Sequence, residues 1–327
     1  MGLLPGPGAA ARGMVPDTGL TADPRFDDPG LAAAVSAALA GDWHPAAALV
    51  ASLHGDWDRR TAVVDALATT ATTERQWLRD WLAARDGDPD ATVVQAQTFV
   101  ALAWQRRGSA WGRHTSRQQF GPFFQFLEHA ADTAWKAAEL AEADPTPWAT
   151  LVSVATGLGV RYQPFDGIWT GLIVRAPAHR PGHERALRYW CPKWHGTEER
   201  LLDFATGAAA MAPSLTPLPL RAAFEMAMEG TPIWRSRYVQ EALDTALPWL
   251  DGEGADHPSA REDRGYAIYA LHHNGRHDEA VAQFRKLGGH AGGYVWNFTT
   301  DVTRAADPVK QFAALRAKTC RHASRDA

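Results

Sequence analysis

The 327-residue sequence predicts an all-α protein, an irregular tetratricopeptide-like array of helix pairs with no significant sheet. Three observations lead there. From residue 30 onward apolar residues recur at three- and four-residue intervals, the spacing that lines them along one face of a helix. Gly, Pro or Asp interrupts that rhythm every ten to twenty residues, as tight turns between short helices do. Runs rich in Val, Ile or Thr that alternate with polar residues, the mark of strands, are nearly absent.

Taken in order, residues 1–29 are rich in Gly, Pro and Asp and have no periodicity, so they read as a flexible tail, with Met14 a second candidate start. They hold neither a charged leader nor an apolar run of signal-peptide length. Residues 30–327 read as a single helical-repeat domain. LAAAVSAALAGDW (31–43), PAAALVASLHGDW (45–57) and DRRTAVVDALATTAT (58–72) open the series. In ERQWLRDWLAARDGDPD (74–90), Trp77, Leu78, Trp81 and Leu82 form one apolar face, while Arg75, Arg79, Asp80 and Arg85 lie away from it. DATVVQAQTFVALAWQRRG (90–108) is a further helix, and the segment from Ser116 to Pro145 holds a longer one.

In RYWCPKWHG (188–196) Pro192 cannot donate a backbone hydrogen bond and disfavours a helical Cys191, so a helix from about Glu184 ends near Trp190. Thr197, followed by Glu198 and Glu199, then reads as the N-cap of the next helix. The stretch is a corner between helices. One reading wedges Trp190 and Trp194 between helix pairs, with Cys191 a small buried hydrophobe. The sharper reading makes Cys191 and His195 two ligands of a metal or haem, or a nucleophile and its base, but further ligands and a third orienting group are missing nearby. No cofactor is expected. Of the two cysteines, Cys320 near a frayed C-terminus is expected to react with thiol reagents before Cys191.

Gly265 to Gly289, GYAIYALHHNGRHDEAVAQFRKLGG, resembles a tetratricopeptide repeat: a helix, a turn at Asn274 and Gly275, then a second helix with Ala280 and Phe284 at the small and aromatic positions. Ile268 departs from the small residue that repeat favours. AELAEADPTPW (138–148) and AGDWHPAAAL (40–49) echo the same pattern. With the GDW turns, the Trp-rich helix and RYWCPKWHG in this order, the chain resembles an uncharacterised family of actinobacterial proteins with tetratricopeptide-like helices. That resemblance implies the fold and a bacterial cytoplasmic setting. It implies no activity.

The net charge of −4 gives no overall attraction to nucleic acid or anionic lipid. Its distribution is more telling. No acid stands between Asp90 and Glu128 or between Asp166 and Glu184, and both windows carry arginine and large aromatics. If the array brings them together, Arg106, Arg107, Trp111, Arg113, Arg117, Trp169, Arg175, Trp190, Lys193 and Trp194 line an electropositive groove for a partner protein or peptide, or for a small anionic ligand. Nucleic acid is disfavoured, and no segment is apolar enough for a membrane. Arg276 and Arg285, outside both windows, are expected to be bystanders. His272, His273 and His277 around the Asn-Gly turn read as solvated imidazoles before they read as metal ligands. Phosphate loops, nucleophile elbows, HExxH and dinucleotide fingerprints are all missing, which leaves a non-catalytic binding or scaffold protein as the leading expectation. A helical enzyme or cofactor-binding protein centred near Cys191 and His195, or a ligand-sensing regulator, is the alternative.

Overall fold

The structure, a computed structural model, describes residues 8–23, 28–107, 117–297 and 307–324, the side chains of residues 107 and 117–120 excepted. It is all-α: fifteen α-helices and no strand occur among the described residues, with one isolated bridge between Thr21 and His290. The helices form two compact units, Asp28–Leu201 and Leu202–Ala327 with Met1–Asp27, where the sequence suggests one domain.

The first unit runs through α1 (Pro29–Leu39), α2 (His44–Ser52), α3 (Trp57–Thr73), α4 (Gln76–Ala84), α5 (Pro89–Arg107), α6 (Arg117–Leu140), α7 (Thr146–Leu158), α8 (Tyr162–Ile173) and α9 (Arg180–Trp190). The GDW turns show why the elements are short. Gly41 and Gly55 sit at φ +91° and +96°, a left-handed backbone that ends a helix cheaply only at glycine. The aspartate that follows then serves the next helix: Asp42 Oδ1 accepts from the His44 N–H at 3.0 Å, and Asp56 caps α3 through the Arg59 N–H. In α4 the expected face is buried, with Trp77 and Trp81 fully enclosed against Val63, Val64 and Leu67 of α3.

A buried arginine organises this unit. Arg60 of α3, 0% exposed, donates to Asp90 at 2.6 Å, to Asp144 at 2.9 Å and to the Val50 carbonyl at 2.8 Å. Asp144 in turn accepts from the Thr146 N–H at the start of α7. One guanidinium thereby ties the end of α2 to the beginnings of α5 and α7.

The second unit contains most of α10 (Glu198–Met211), then α11 (Leu218–Met228), α12 (Arg237–Asp251), α13 (Ala260–Asn274), α14 (His277–Leu287) and α15 (Pro308–His322). Its core rings include Phe284, Trp296 and Phe312, packed edge to face. Gly275 at φ +90° makes the turn between α13 and α14, and Ala280 and Phe284 of α14 are buried. Residues 8–23 depart from the expected flexible tail. Met14 is buried, Arg12 donates to the Cys320 and Ser324 carbonyls, and Arg316 holds the Val15 carbonyl. Composition alone cannot reveal this, because the partners stand some 300 residues away in sequence. No helix among the described residues is long and apolar enough to cross a membrane.

Candidate functional site

The corner after α9 forms as its residues dictate. Cys191 leaves the helix with extended backbone (φ −65°, ψ 140°) ahead of Pro192. The chain then folds back on itself, with the Trp194 N–H on the Cys191 carbonyl at 2.9 Å and the His195 N–H on the Tyr189 carbonyl at 3.2 Å. At Gly196 a Cβ would lie 1.7 Å from the Trp190 carbonyl oxygen, so only glycine closes the turn. Thr197 Oγ1 accepts from the Arg200 N–H at 3.2 Å, the expected N-cap of α10.

This turn seats a continuous belt of rings at one end of the first unit. Phe165 and Tyr189 stack with centroids 3.7 Å apart, and the Tyr189 hydroxyl donates to the Val160 carbonyl at 2.8 Å. Burial pushes the Tyr189 phenol up, which keeps it a donor. Trp190 meets both Phe165 and Tyr162 at 5.7 Å, and Tyr162 is 55% exposed. On the other side Trp194 packs edge-on against Trp104 of α5 at 5.5 Å, and Trp104 against Phe123 of α6 at 5.3 Å. Trp190 and Trp194 are each half-buried, so the expectation of two fully wedged indoles is corrected.

One cation lies on the belt, and others adjoin its residues in sequence. Arg200 lies over the Trp190 ring at 5.7 Å. Arg106 in the last turn of α5, Arg161 before α8, and Arg188 and Lys193 beside the corner are exposed. Among the described residues Arg106, Arg161, Arg188 and Arg200 form no ion pair with a carboxylate. Asp166, Glu184, Glu198, Glu199 and Asp203 are the acids nearest in sequence.

The expected groove is therefore divided. Trp190, Lys193 and Trp194 belong to the corner, and Arg106 is exposed on α5 two residues after Trp104. Trp169 and Arg175 are not: Trp169 packs on His183 at 5.0 Å, and Arg175 lies over Trp148 at 4.4 Å while donating to the Glu142 and Gly171 carbonyls. Trp148 and Thr156, which meet these two groups, stand at opposite ends of α7, about 12 Å apart at 1.5 Å per residue. Trp111 and Arg113 lie outside the described residues, as do the side chains of Arg107 and Arg117. Sequence reasoning does not reach Tyr162, Phe165, Tyr189, Arg188 or Arg200. The one local signal is the pair of rings at 162 and 165, which share a face of the first turn of α8.

The two residues weighed as ligands or catalysts point elsewhere. Cys191 is fully buried, and His195 Nε2 lies 2.8 Å from the Thr156 carbonyl oxygen, which engages it as a donor. Among the described residues no group of three or more His, Cys, Asp or Glu is placed to hold a metal. His272, His273 and His277 are not solvated turn residues. His272 is buried, its Nδ1 2.9 Å from Thr319 Oγ1, and desolvation pushes its pKa down to about 4. A cleft of about 400 Å³ between α12 and α14 carries paired charges, Arg276 with Asp244 and Glu279, and Asp251 with Arg264 and Lys286. Arg276 and Arg285 thus make contacts within the chain, since Arg285 also donates to the Arg12 carbonyl.

Compared with known proteins, the chain matches no family model, no curated protein and no solved structure.

Proposed function

We propose that the chain is a non-catalytic binding protein that takes an acidic segment of a partner protein on the ringed corner formed by α5, α8, α9 and the start of α10. The observation that carries this reading is the set of exposed arginines without carboxylate partners among the described residues, interleaved in sequence with half-buried and exposed aromatic rings and, at Arg200, laid over the Trp190 ring. Arginine over an aromatic face keeps its fork of donors open to a carboxylate, and the rings supply rigid apolar area beside it. Helix-pair arrays present such surfaces without needing a catalytic centre. The same reading places the protein in a bacterial cytoplasm and treats α13–α14 as a tetratricopeptide-like pair.

The test uses a fluorescent acidic peptide containing tyrosine, measured by anisotropy in rising salt. Binding should weaken at least about ten-fold in the Arg188→Glu, Arg200→Glu double variant, because rim charges govern encounter and salt dependence. The melting temperature should stay nearly unchanged, since exposed charges contribute little to stability. Arg75→Glu with Arg79→Glu, exposed at the N-cap and in the body of α4, is the control. Equal binding by all three chains, or tighter binding of an unstructured single-stranded oligonucleotide than of the peptide, overturns the reading.

A further inference from the structure

Residues 8–23 lie on the second unit as a peptide lies in a receptor. They form only two one-turn 3₁₀ helices, Ala10–Arg12 and Asp17–Gly19, and are otherwise irregular. The surface beneath them reads their main chain. Arg285 Nε donates to the Arg12 carbonyl at 2.7 Å, and Arg316 Nη1 donates to the Val15 carbonyl at 2.8 Å. Further along, the Thr21 N–H reaches the Gly289 carbonyl at 2.9 Å and the Thr21 carbonyl accepts from the Ala291 N–H at 2.7 Å. Glycine is required under this contact: a Cβ at Gly289 would stand 2.8 Å from the Gly19 carbonyl oxygen, and one at Gly292 2.9 Å from that of Ala22.

Three side chains supply what the main chain cannot. Met14 is buried, and the Asp17 carboxylate pairs with the enclosed Arg316 guanidinium. Arg12 points to the carbonyls at the end of α15, 3.2 Å from Cys320 O and 2.8 Å from Ser324 O. Main-chain hydrogen bonds for affinity and spaced pockets for selectivity are how folded domains recognise extended segments. The hold is light. Met14 is the one buried apolar side chain of residues 8–23, and a segment with so few buried apolar contacts opens far below the cost of global unfolding.

We propose that the face built by α14, α15 and residues 288–292 is a peptide-binding groove, occupied in cis by residues 8–23. In trans it takes an extended segment of a partner protein with the same chemistry: an arginine, an apolar residue two positions on, and a carboxylate three positions after that. The cis segment competes by its high local concentration, so a partner binds only in proportion to the fraction of chains whose segment has lifted. This proposal is independent of the acidic-peptide reading, since it uses other residues.

The probe is a labelled synthetic peptide with the sequence of residues 8–23, added to the full-length chain. The full-length variant Met14→Asp, Asp17→Lys weakens its own segment and leaves the groove intact, so it should bind the peptide at least about ten-fold more tightly than the parent. A peptide carrying the same two changes should not bind that variant. Gly289→Val in the variant, which crowds the path of the Gly19 carbonyl, should abolish binding. Equal affinity of parent and variant, indifference to the peptide's own changes, or no binding by a variant with an unchanged melting temperature overturns the proposal. A concentration-dependent dimer of the parent that the peptide dissolves would make the occupant a second copy and overturn the partner assignment. Hydrogen exchange on the parent needs no variant: the Thr21 amide should exchange much faster than the amides of α14, and exchange only with global unfolding would sink the idea.

Discussion

Arg60 is where a residue-level reading of the sequence fails most instructively. Next to Arg59, in DRRTAVVDA, it reads as surface charge, yet it is enclosed and bonded to Asp90, Asp144 and the Val50 carbonyl. Its carboxylate partners lie 30 and 84 residues downstream, so nothing local marks it. Removing one partner of a buried charge cluster leaves the others desolvated and unpaired. Arg60→Met is therefore expected to cost about 3–5 kcal/mol, read as a lowered urea midpoint at unchanged slope. A loss below 1 kcal/mol would mean that water reaches Asp90 and Asp144 in the native state. The cysteines give a second residue-scale prediction. Cys320 is buried rather than frayed, and burial pushes its thiol up, so at neutral pH neither Cys320 nor Cys191 should react with a thiol reagent until the protein unfolds. Rapid labelling of one thiol in the native chain at neutral pH would contradict this.

At the scale of elements, the helices were legible wherever the apolar rhythm and its punctuation agreed, as in α4 with its Trp77–Trp81 face and at the Pro192 corner. α8 was not. Its sequence YQPFDGIWTGLI carries a proline and two glycines, but Pro164 falls in the first turn, where no intrahelical N–H bond is lost. Gly171 is needed because a Cβ there would meet the Trp148 ring at 2.0 Å. The docking of α15 supports a pH prediction. Thr319 Oγ1 donates to the Leu315 carbonyl, so it accepts from His272 Nδ1–H, and any second proton must go to Nε2. His273 of α13, His277 of α14, and Lys318 and His322 of α15 face that ring, with Asp278 the one acid in the group. Desolvation lowers the pKa of His272, His273 and His277 below the ordinary 6.5, so as pH falls the unfolded chain takes protons before the native one does. Stability from this contact is complete above 6.5 and is lost between there and about 4. Each pH unit of displacement corresponds to about 1.4 kcal/mol. Cys320 on α15 reports the release: a pyridyl disulfide reagent should label it increasingly as pH falls through that window, and His272→Gln should flatten the rise. Protection that holds down to pH 4, or a rise that His272→Gln leaves unchanged, would remove the histidines as its cause.

For the whole molecule, fold class was written in the sequence and the candidate site only in part. Helical periodicity is a local property, repeated at every turn, and survives without knowledge of tertiary contacts. The ringed corner depends on which helix ends meet, and α7 decides that by holding the Trp194 side of the acid-free stretches away from Arg175. The same limit hid the docking of residues 8–23. That docking also has a history in time. Arg12 and its acceptor Cys320 are 308 residues apart, and synthesis at about 5–20 residues per second separates them by roughly 15 to 60 s. For most of that interval the segment from Arg12 to Thr21 has left the ribosome while α14 and α15 are not yet complete. A nascent chain therefore carries an arginine, a methionine and an aspartate open to whatever meets them first, and the second unit is finished only when the last helix arrives to reclaim them.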